Sequence, residues 1–93
     1  MARSTATRKW VDFEFQAEPG AKVFIAGSFN DWDAAQMRLQ DRSKKGIYRT
    51  SLLLPKGRHE YKFVVNGTWC ADPKCEEWAP NNCGTLNSVV TVR

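Results

Sequence analysis

The sequence has few of the residues that usually carry catalysis or bind metals. It contains one histidine, His59, and three cysteines, Cys70, Cys75 and Cys83, whose spacing does not match the paired CxxC pattern of zinc sites. Three cysteines cannot all pair within one chain, which argues against a secreted disulfide framework. Since His59 lies near no identifiable nucleophile, no Ser-His-Asp or Cys-His arrangement is indicated. We therefore predict neither a metal site nor a cofactor.

Other features of enzymes and membrane proteins are also missing. The GSFNDW segment lacks the lysine and the following helix of a phosphate-binding loop. Asp31 and Asp33 lie close together, but they have no partner base, and aspartates in loops usually form turns. No hydrophobic run reaches the length of a membrane span, and the N terminus lacks the apolar core of a signal peptide. We predict a soluble, cytoplasmic protein that is not an enzyme and has no membrane partner.

The positive charge is not concentrated in one stretch. The formal net charge is +4, which raises the question of a nucleic-acid partner. A binding stripe requires clustered lysines and arginines. Here they are scattered over the N-terminal tail, a loop and a turn: Arg3, Arg8, Lys9, Arg42, Lys44, Lys45, Lys56 and Arg58. We predict no nucleic-acid partner.

Short alternating segments indicate an all-β chain. Turn residues separate them at intervals of about ten residues, which is typical of an antiparallel sandwich. The clearest segments are residues 10–15, 22–26, 47–54, 60–65 and 85–92. The segment 72–84 is too irregular for a strand, and no stretch is periodic enough for a sizeable helix. We predict a mobile tail over residues 1–8 and a single β-sandwich domain over residues 9–93, and the initial methionine suggests a complete chain.

The best-defined element is a hairpin around Asn66 and Gly67. Asn-Gly suits a two-residue type I′ turn, because both central positions of that turn need a positive φ. If the hairpin is regular, Val64 pairs with Trp69, and Cys70 becomes a small core residue. The predicted core face carries Tyr61, Phe63, Val65 and Cys70, and the outer face carries Lys62, Val64 and Trp69.

An outward-facing Trp69 beside Lys62 is the strongest functional signal in the hairpin, unless a loop or the last strand covers it. Trp32, between two aspartates of GSFNDW, is also predicted at the surface, whereas Phe29 is predicted to pack into the core. In the last strand the predicted core residues are Leu86, Ser88, Val90 and Val92, and the predicted outward residues are Asn87 and Thr91. Aromatic rings with polar groups around them suit an oligosaccharide, but they also suit a peptide or a nucleic-acid strand.

Three motifs resemble one known family. The motifs are VFIAGSFNDW, LPKGRHEYKFVVNGTW with the Ala-Asp-Pro segment that follows it, and GTLNSVVTV. They are similar to carbohydrate-binding module family 48 and stand in the family's order. This is the glycogen-binding domain family seen in the β subunit of AMP-activated protein kinase and beside the catalytic domains of branching and debranching enzymes. The resemblance covers Val11 to Val92 and implies an immunoglobulin-like β-sandwich of the early-set type. It also implies non-catalytic binding of an α-1,4-linked glucan.

The resemblance assigns the sugar-binding roles to particular residues. Two tryptophans stack on glucose rings, a lysine and an asparagine bond hydroxyls, and a threonine shapes the site: Trp32, Trp69, Lys62, Asn87 and Thr85. Kinase-type members carry a leucine just before GT, and it inserts into a curled glucan. Cys83 stands there in this chain, so a weaker preference for curled glucans is predicted. Trp78 either adds a stacking surface or covers the edge of the sandwich.

The alternative function is a protein-interaction or regulatory docking domain of the same fold that binds no sugar. Its partner would be a glycogen-metabolising enzyme or another protein. The exposure of Trp32 and Trp69 discriminates between the two functions, since a glucan site needs both rings on one open surface. The sequence carries no signal for an oligomeric state.

Overall fold

The computed structural model describes residues 8–93, and the structural statements below concern those residues. Apart from Arg8, which begins the first strand, the predicted mobile tail lies outside the described residues. Residues 8–93 form eight β-strands and no α-helix. In chain order the strands are β1 Arg8–Gln16, β2 Val23–Gly27, β3 Met37–Arg38, β4 Ile47–Pro55, β5 Gly57–Val65, β6 Thr68–Cys70, β7 Trp78–Pro80 and β8 Leu86–Val92.

The strands form two antiparallel sheets that pack as a sandwich. β1 and β4 form a two-stranded sheet, and the other strands form a six-stranded sheet in the order β3-β2-β5-β8-β7, with β6 paired to β5. The predicted all-β, immunoglobulin-like β-sandwich is confirmed. β5 is the central strand, because it pairs with β2, β6 and β8. Within the described part of the chain, no helix is long and apolar enough to cross a membrane.

The small sheet follows the alternation of its sequence. β1 pairs with β4 without interruption over its whole length. Phe13 is buried, and Val11 and Phe15 pack against the core, whereas Trp10 on the opposite face is 68% exposed. Odd-numbered positions of β1 therefore face the other sheet, as the period of two predicts.

Aromatic rings join the two sheets. The ring centroids of Phe13 and Tyr61 lie 5.0 Å apart, and those of Phe15 and Phe63 lie 4.9 Å apart. Both pairs connect β1 with β5, so the central strand anchors the small sheet. The predicted core residues Val23, Ile25, Tyr61 and Phe63 are all buried.

The hairpin between β5 and β6 has the predicted turn and register. Asn66 has a φ of 50° and Gly67 a φ of 85°, as a type I′ turn requires. Val64 lies opposite Trp69, and Phe63 lies opposite Cys70. The prediction that Cys70 belongs to the core is wrong, because β6 ends at this residue and its side chain is only half-buried.

The start of β8 differs from its predicted pattern. Leu86, predicted in the core, is 49% exposed, and Asn87, predicted outward, is only 7% exposed. Leu86 precedes Ser88, the first residue of β8 that pairs with β5. Asn87 is covered because its side chain bonds to neighbouring segments on both sides. Ser88 and Val92 are buried as predicted, and Val90 is half-buried against the core.

The segment predicted as irregular contains a short strand. β7 pairs with β8 at the edge of the large sheet, so the prediction of no strand between residues 72 and 84 is wrong. Pro80 fits this position because an edge strand needs backbone donors on one side only. Trp78, at the start of β7, is 46% exposed on this edge. His59 lies within β5, and its Nε2 is 2.8 Å from the carbonyl oxygen of Pro55.

Candidate functional site

An open groove of about 810 Å³ lies on the outer face of the large sheet, where the loops before β3 and before β8 meet β5 and β6. This volume falls in the range of small-molecule sites. The groove is lined by Ser28, Trp32, Arg58, Glu60, Lys62, Trp69, Pro80, Asn81, Asn82, Cys83, Thr85 and Asn87. The structure therefore brings together all six residues that the sequence analysis singled out.

The GSFNDW turn presents Trp32. The Oδ1 atom of Asn30 accepts a hydrogen bond of 2.9 Å from the amide of Gly27, and its Nδ2 atom donates to the carbonyl of Ile25. The amide of Trp32 donates back to the carbonyl of Gly27 at 2.9 Å. Asp31 and Trp32 both have left-handed backbones, with φ values of 54° and 58°. Such residues persist only where the surroundings hold them, and here the buried Asn30 does so.

The same turn is held tightly against β5. A Cβ atom on Gly27 would lie 2.5 Å from the carbonyl oxygen of Glu60 and 2.8 Å from the ring of Phe29. Only glycine fits this approach. The amide of Ser28 donates to the same Glu60 carbonyl at 2.9 Å. Phe29 packs against the core as predicted, so the turn is fixed on both sides.

The hairpin contributes the second tryptophan. Trp69 is 45% exposed, so neither a loop nor the last strand covers it. Trp32, from the other side of the groove, is 36% exposed. Lys62 lies on the same face of β5 as Val64, the cross-strand partner of Trp69, and its Nζ atom donates to Thr85 Oγ1 at 2.8 Å. Two half-exposed indoles and an ammonium group thus share one groove.

A network of side chains organises the loop before β8. Asn81 Nδ2 donates to Thr85 Oγ1 at 2.8 Å and to Asn87 Oδ1 at 2.9 Å. Asn81 Oδ1 accepts from the backbone amides of Cys83 and Thr85, at 2.9 and 3.2 Å. Asn87 Nδ2 in turn donates to Glu60 Oε1 at 3.0 Å. The loop is therefore tied to the central strand.

Charge alternates along the groove face of β5. Arg58, Glu60 and Lys62 occupy successive outward positions, and Arg58 Nη1 lies 3.2 Å from Glu60 Oε2. A second carboxylate, that of Glu77, lies 3.8 Å from Arg58 Nε. The guanidinium group is therefore paired with acids, while the ammonium group of Lys62 contacts a neutral hydroxyl. Lys62 keeps free donors for a ligand.

Sequence reasoning missed several lining residues. The alternation of β5 puts Glu60 on the same face as Lys62, and that signal alone could have added it to the site. Asn81 and Asn82 carry no motif that points to a groove. Trp78, predicted either to add a stacking surface or to cover the edge of the sandwich, is outside the groove lining.

A buried polar pair lies behind the groove strand. The hydroxyl group of Tyr61 donates to Asp72 Oδ2 at 2.7 Å, and both residues are buried. Burial, together with the Asp72 carboxylate, raises the pKa of Tyr61 far above its usual value. Asp72 also receives the amide of Lys74 at 2.9 Å. This pair fixes the start of the segment that leads to β7.

The described residues contain no group of three or more His, Cys, Asp or Glu side chains that could hold a metal ion. They also contain no disulfide: Cys70 and Cys75 are half-buried free thiols and Cys83 is an exposed one. The groove lining offers stacking on Trp32 and Trp69 and hydrogen bonding to Lys62, Thr85 and Asn87.

Comparison with known proteins gives a family. Residues 10–93 match the family described as the glycogen recognition site of AMP-activated protein kinase. The chain belongs to this family. The match to the glycogen recognition family covers every strand of the large sheet and all residues that line the groove.

Relatives of the chain include β subunits of this kinase. It is 36% identical over 77 residues to 5'-AMP-activated protein kinase subunit beta-2 of Homo sapiens, which covers 83% of this chain and 27% of the relative. It is 35% identical over 74 residues to subunit beta-1 of Rattus norvegicus, covering 80% of this chain and 26% of the relative. The match to subunit beta-1 of Sus scrofa is 35% over 74 residues, covering 80% and 57%. The chain thus spans about a quarter of the length of the human and rat relatives.

Proposed function

We propose that this chain is a non-catalytic module that binds an α-1,4-linked glucan, such as glycogen, in the groove between Trp32 and Trp69. The observation that carries the proposal is the placement of two half-exposed indoles, from segments far apart in sequence, on one groove with Lys62, Thr85 and Asn87. Membership in the glycogen recognition family supports it.

The groove offers what a chain of glucose units requires. The apolar faces of the sugar rings stack on the indoles of Trp32 and Trp69, each contributing on the order of 1 kcal/mol beyond burial. Lys62 bonds to sugar hydroxyls at the edges of the rings. Asn87 is buried in the groove wall and offers only the hydrogen and the lone pair that its bonds to Glu60 and Asn81 leave free. Association also costs translational and rotational entropy. We therefore expect a dissociation constant of roughly 10 μM to 1 mM.

Cys83 is the residue that departs from the kinase-type pattern. Its exposed side chain lies in the groove at the position where a leucine would insert into a curled glucan. A thiol group fills less of the cavity of a helical turn than an isobutyl group does. The module therefore discriminates less strongly between curled and extended glucans.

A protein partner is the second candidate function, and one observation outside the groove favours it. Trp10 and Leu53 face each other across β1 and β4 and are 68% and 40% exposed. Contiguous exposed apolar side chains are a feature of protein-contact sites. The relatives are named as subunits of a kinase, and we propose that this chain also serves an enzyme as a regulatory module. Its cytoplasmic location stays a prediction.

The test of glucan binding is a calorimetric titration of maltoheptaose and β-cyclodextrin into the wild-type chain and three variants. Trp32→Ala and Trp69→Ala each remove one groove indole, and we expect a loss of about tenfold or more in affinity. Trp78→Ala is the matched control, because Trp78 is as exposed as Trp69 but lies outside the groove lining. Circular dichroism establishes that each variant is folded.

The outcomes separate the two candidate functions. Glucan binding that is lost in Trp69→Ala and kept in Trp78→Ala supports the groove. No binding by the wild-type chain up to about 10 mM sugar would refute glucan recognition, since useful affinities are stronger than this. A partner protein would then be the function to pursue.

A further inference from the structure

The side-chain amide of Asn81 uses its whole hydrogen-bonding capacity inside the groove. An asparagine amide has two donor hydrogens and an oxygen that accepts two bonds. The hydrogens of Asn81 reach Thr85 Oγ1 and Asn87 Oδ1, and its oxygen receives two backbone amides. Such complete satisfaction in a half-buried loop residue makes its orientation specific.

The donor and acceptor roles in these bonds are determined by groups that can only donate or can only accept. The backbone amides of Cys83 and Thr85 can only donate, so the Asn81 atom that they reach is the oxygen. Its other atom is therefore the nitrogen, and the Asn87 atom facing it is an oxygen. Asn87 consequently turns its nitrogen to the carboxylate of Glu60, which can only accept. Both ends of the network require the same orientation.

The orientation of the Asn81 amide determines how the hydroxyl group of Thr85 can bond to a ligand. Its hydroxyl oxygen accepts from Asn81 Nδ2 and from Lys62 Nζ, both at 2.8 Å. A hydroxyl group has two acceptor positions and one hydrogen. Since both acceptor positions are occupied, only the hydrogen of Thr85 remains for another partner. Thr85 is exposed and lines the groove, so that partner is a ligand or water.

We propose that Asn81 is a positioning residue that makes Thr85 a hydrogen-bond donor to the bound glucan. The inference rests on the proposed function, because the receiving atom is an oxygen of the sugar. At this point of the groove the ligand must present an oxygen with a free lone pair, and a ligand group that can only donate is rejected. Asn81 thereby contributes to specificity by orienting Thr85.

Asn81→Asp is the variant that separates this role from simple support of the loop. Aspartate keeps an oxygen for the amides of Cys83 and Thr85, so the loop retains its backbone bonds. It loses both donor hydrogens, and the hydroxyl group of Thr85 then donates to the new carboxylate instead of the sugar. We expect maltoheptaose affinity to fall about three- to tenfold, the range for one lost hydrogen bond. Asn82→Asp is the control, because it adds the same charge at the next residue. The loss of maltoheptaose affinity in Asn81→Asp beyond that in Asn82→Asp measures the effect of the orientation of Thr85.

A double-mutant cycle with Thr85→Val tests whether Asn81 acts through Thr85. Valine has the shape of threonine without the hydroxyl group. We expect Thr85→Val to weaken binding in the wild-type background and to have little further effect in the Asn81→Asp background. Thr85→Ser, which keeps the hydroxyl group, should retain most of the affinity. Wild-type affinity in folded Asn81→Asp, or losses that multiply fully in the double variant, would overturn the proposal.

A measurement without sugar separates this proposal from the glucan function itself. In nuclear magnetic resonance spectra of the free chain, the side-chain amide signals of Asn87 should shift in Asn81→Asp and stay unchanged in Asn82→Asp. Unchanged Asn87 signals in Asn81→Asp would refute the network. If the network is present but the wild-type chain binds no glucan, the proposed function fails, and with it the role of Thr85 as donor to a sugar.

Discussion

Removal of the Asn30 side chain should destabilise the domain and disturb the groove together. Asn30→Ala leaves the buried amide of Gly27 without its acceptor, which costs about 1–3 kcal/mol. It also removes the Nδ2 bonds to the carbonyls of Ile25 and Asp33, worth about 1 kcal/mol net. We therefore expect the free energy of unfolding to fall by about 2–4 kcal/mol.

Thermal unfolding followed by circular dichroism is the assay. For a domain of this size, each 1 kcal/mol shifts the melting temperature by about 4–8 °C, so the expected decrease is about 8–32 °C. Asn30→Asp keeps the acceptor for Gly27 but buries a carboxylate against the carbonyls of Ile25 and Asp33, so its melting temperature should also fall at neutral pH, and should fall less at a pH that protonates the carboxyl group. Asn82→Ala, at an exposed asparagine, is the matched control and should stay close to the wild type.

Asn30→Ala should also weaken ligand binding in the groove. Trp32 keeps its left-handed backbone only while the turn is held together, so folded Asn30→Ala should also bind maltoheptaose more weakly than the wild type. A change of less than about 0.5 kcal/mol in stability, the size of an ordinary surface substitution, would refute the role given to Asn30.

Three further predictions concern other parts of the molecule. Burial and the Asp72 carboxylate raise the pKa of Tyr61, so above a pH of about 10 only the unfolded chain releases this proton. The free energy of unfolding should therefore fall by about 1.4 kcal/mol per pH unit in that range. Chemical denaturation of Tyr61→Phe at several pH values should show a dependence on pH that lacks this contribution. Gly27→Ala should lower the melting temperature more than Gly67→Ala, because only the first new methyl group meets a backbone carbonyl, whereas the second meets open space at a φ of 85° and should cost about 1 kcal/mol; equal losses would contradict this. Cys83→Leu should raise the affinity for β-cyclodextrin more than for maltoheptaose in calorimetry, and equal changes would show that this position does not sense curvature.

Local signals predicted much of the large sheet. The Asn-Gly turn determines which residues face each other in the hairpin, so the register of Trp69 and the outward position of Lys62 followed from the sequence. Alternation in β1 likewise predicted which of its residues face the core. These features depend on neighbours in the chain, and their physical causes are therefore visible in a short stretch.

The remaining features depend on contacts between distant segments. Asn87 is buried although it faces outward, because Asn81 and Glu60 satisfy its amide. β7 has too few residues to show a period and exists through its pairing with β8. The local sequence predicted Trp32 and Asn87 at the surface. The family resemblance assigned them and Thr85 to one site with the hairpin, since nothing in their local sequence places them next to it. The sequence did not predict Asn81 in the groove for the same reason.

The groove is assembled from residues between Ser28 and Asn87, on segments that meet only after both edges of β5 have found their partners. Among the described residues, no single strand or loop holds both indoles and the asparagine network, so a glucan would interact with the native state alone. Binding and folding then form one linked equilibrium: sugar at 100 times its dissociation constant should stabilise the domain by about 2.7 kcal/mol. In contact with glycogen, the polymer itself would protect this domain from unfolding and from proteolysis.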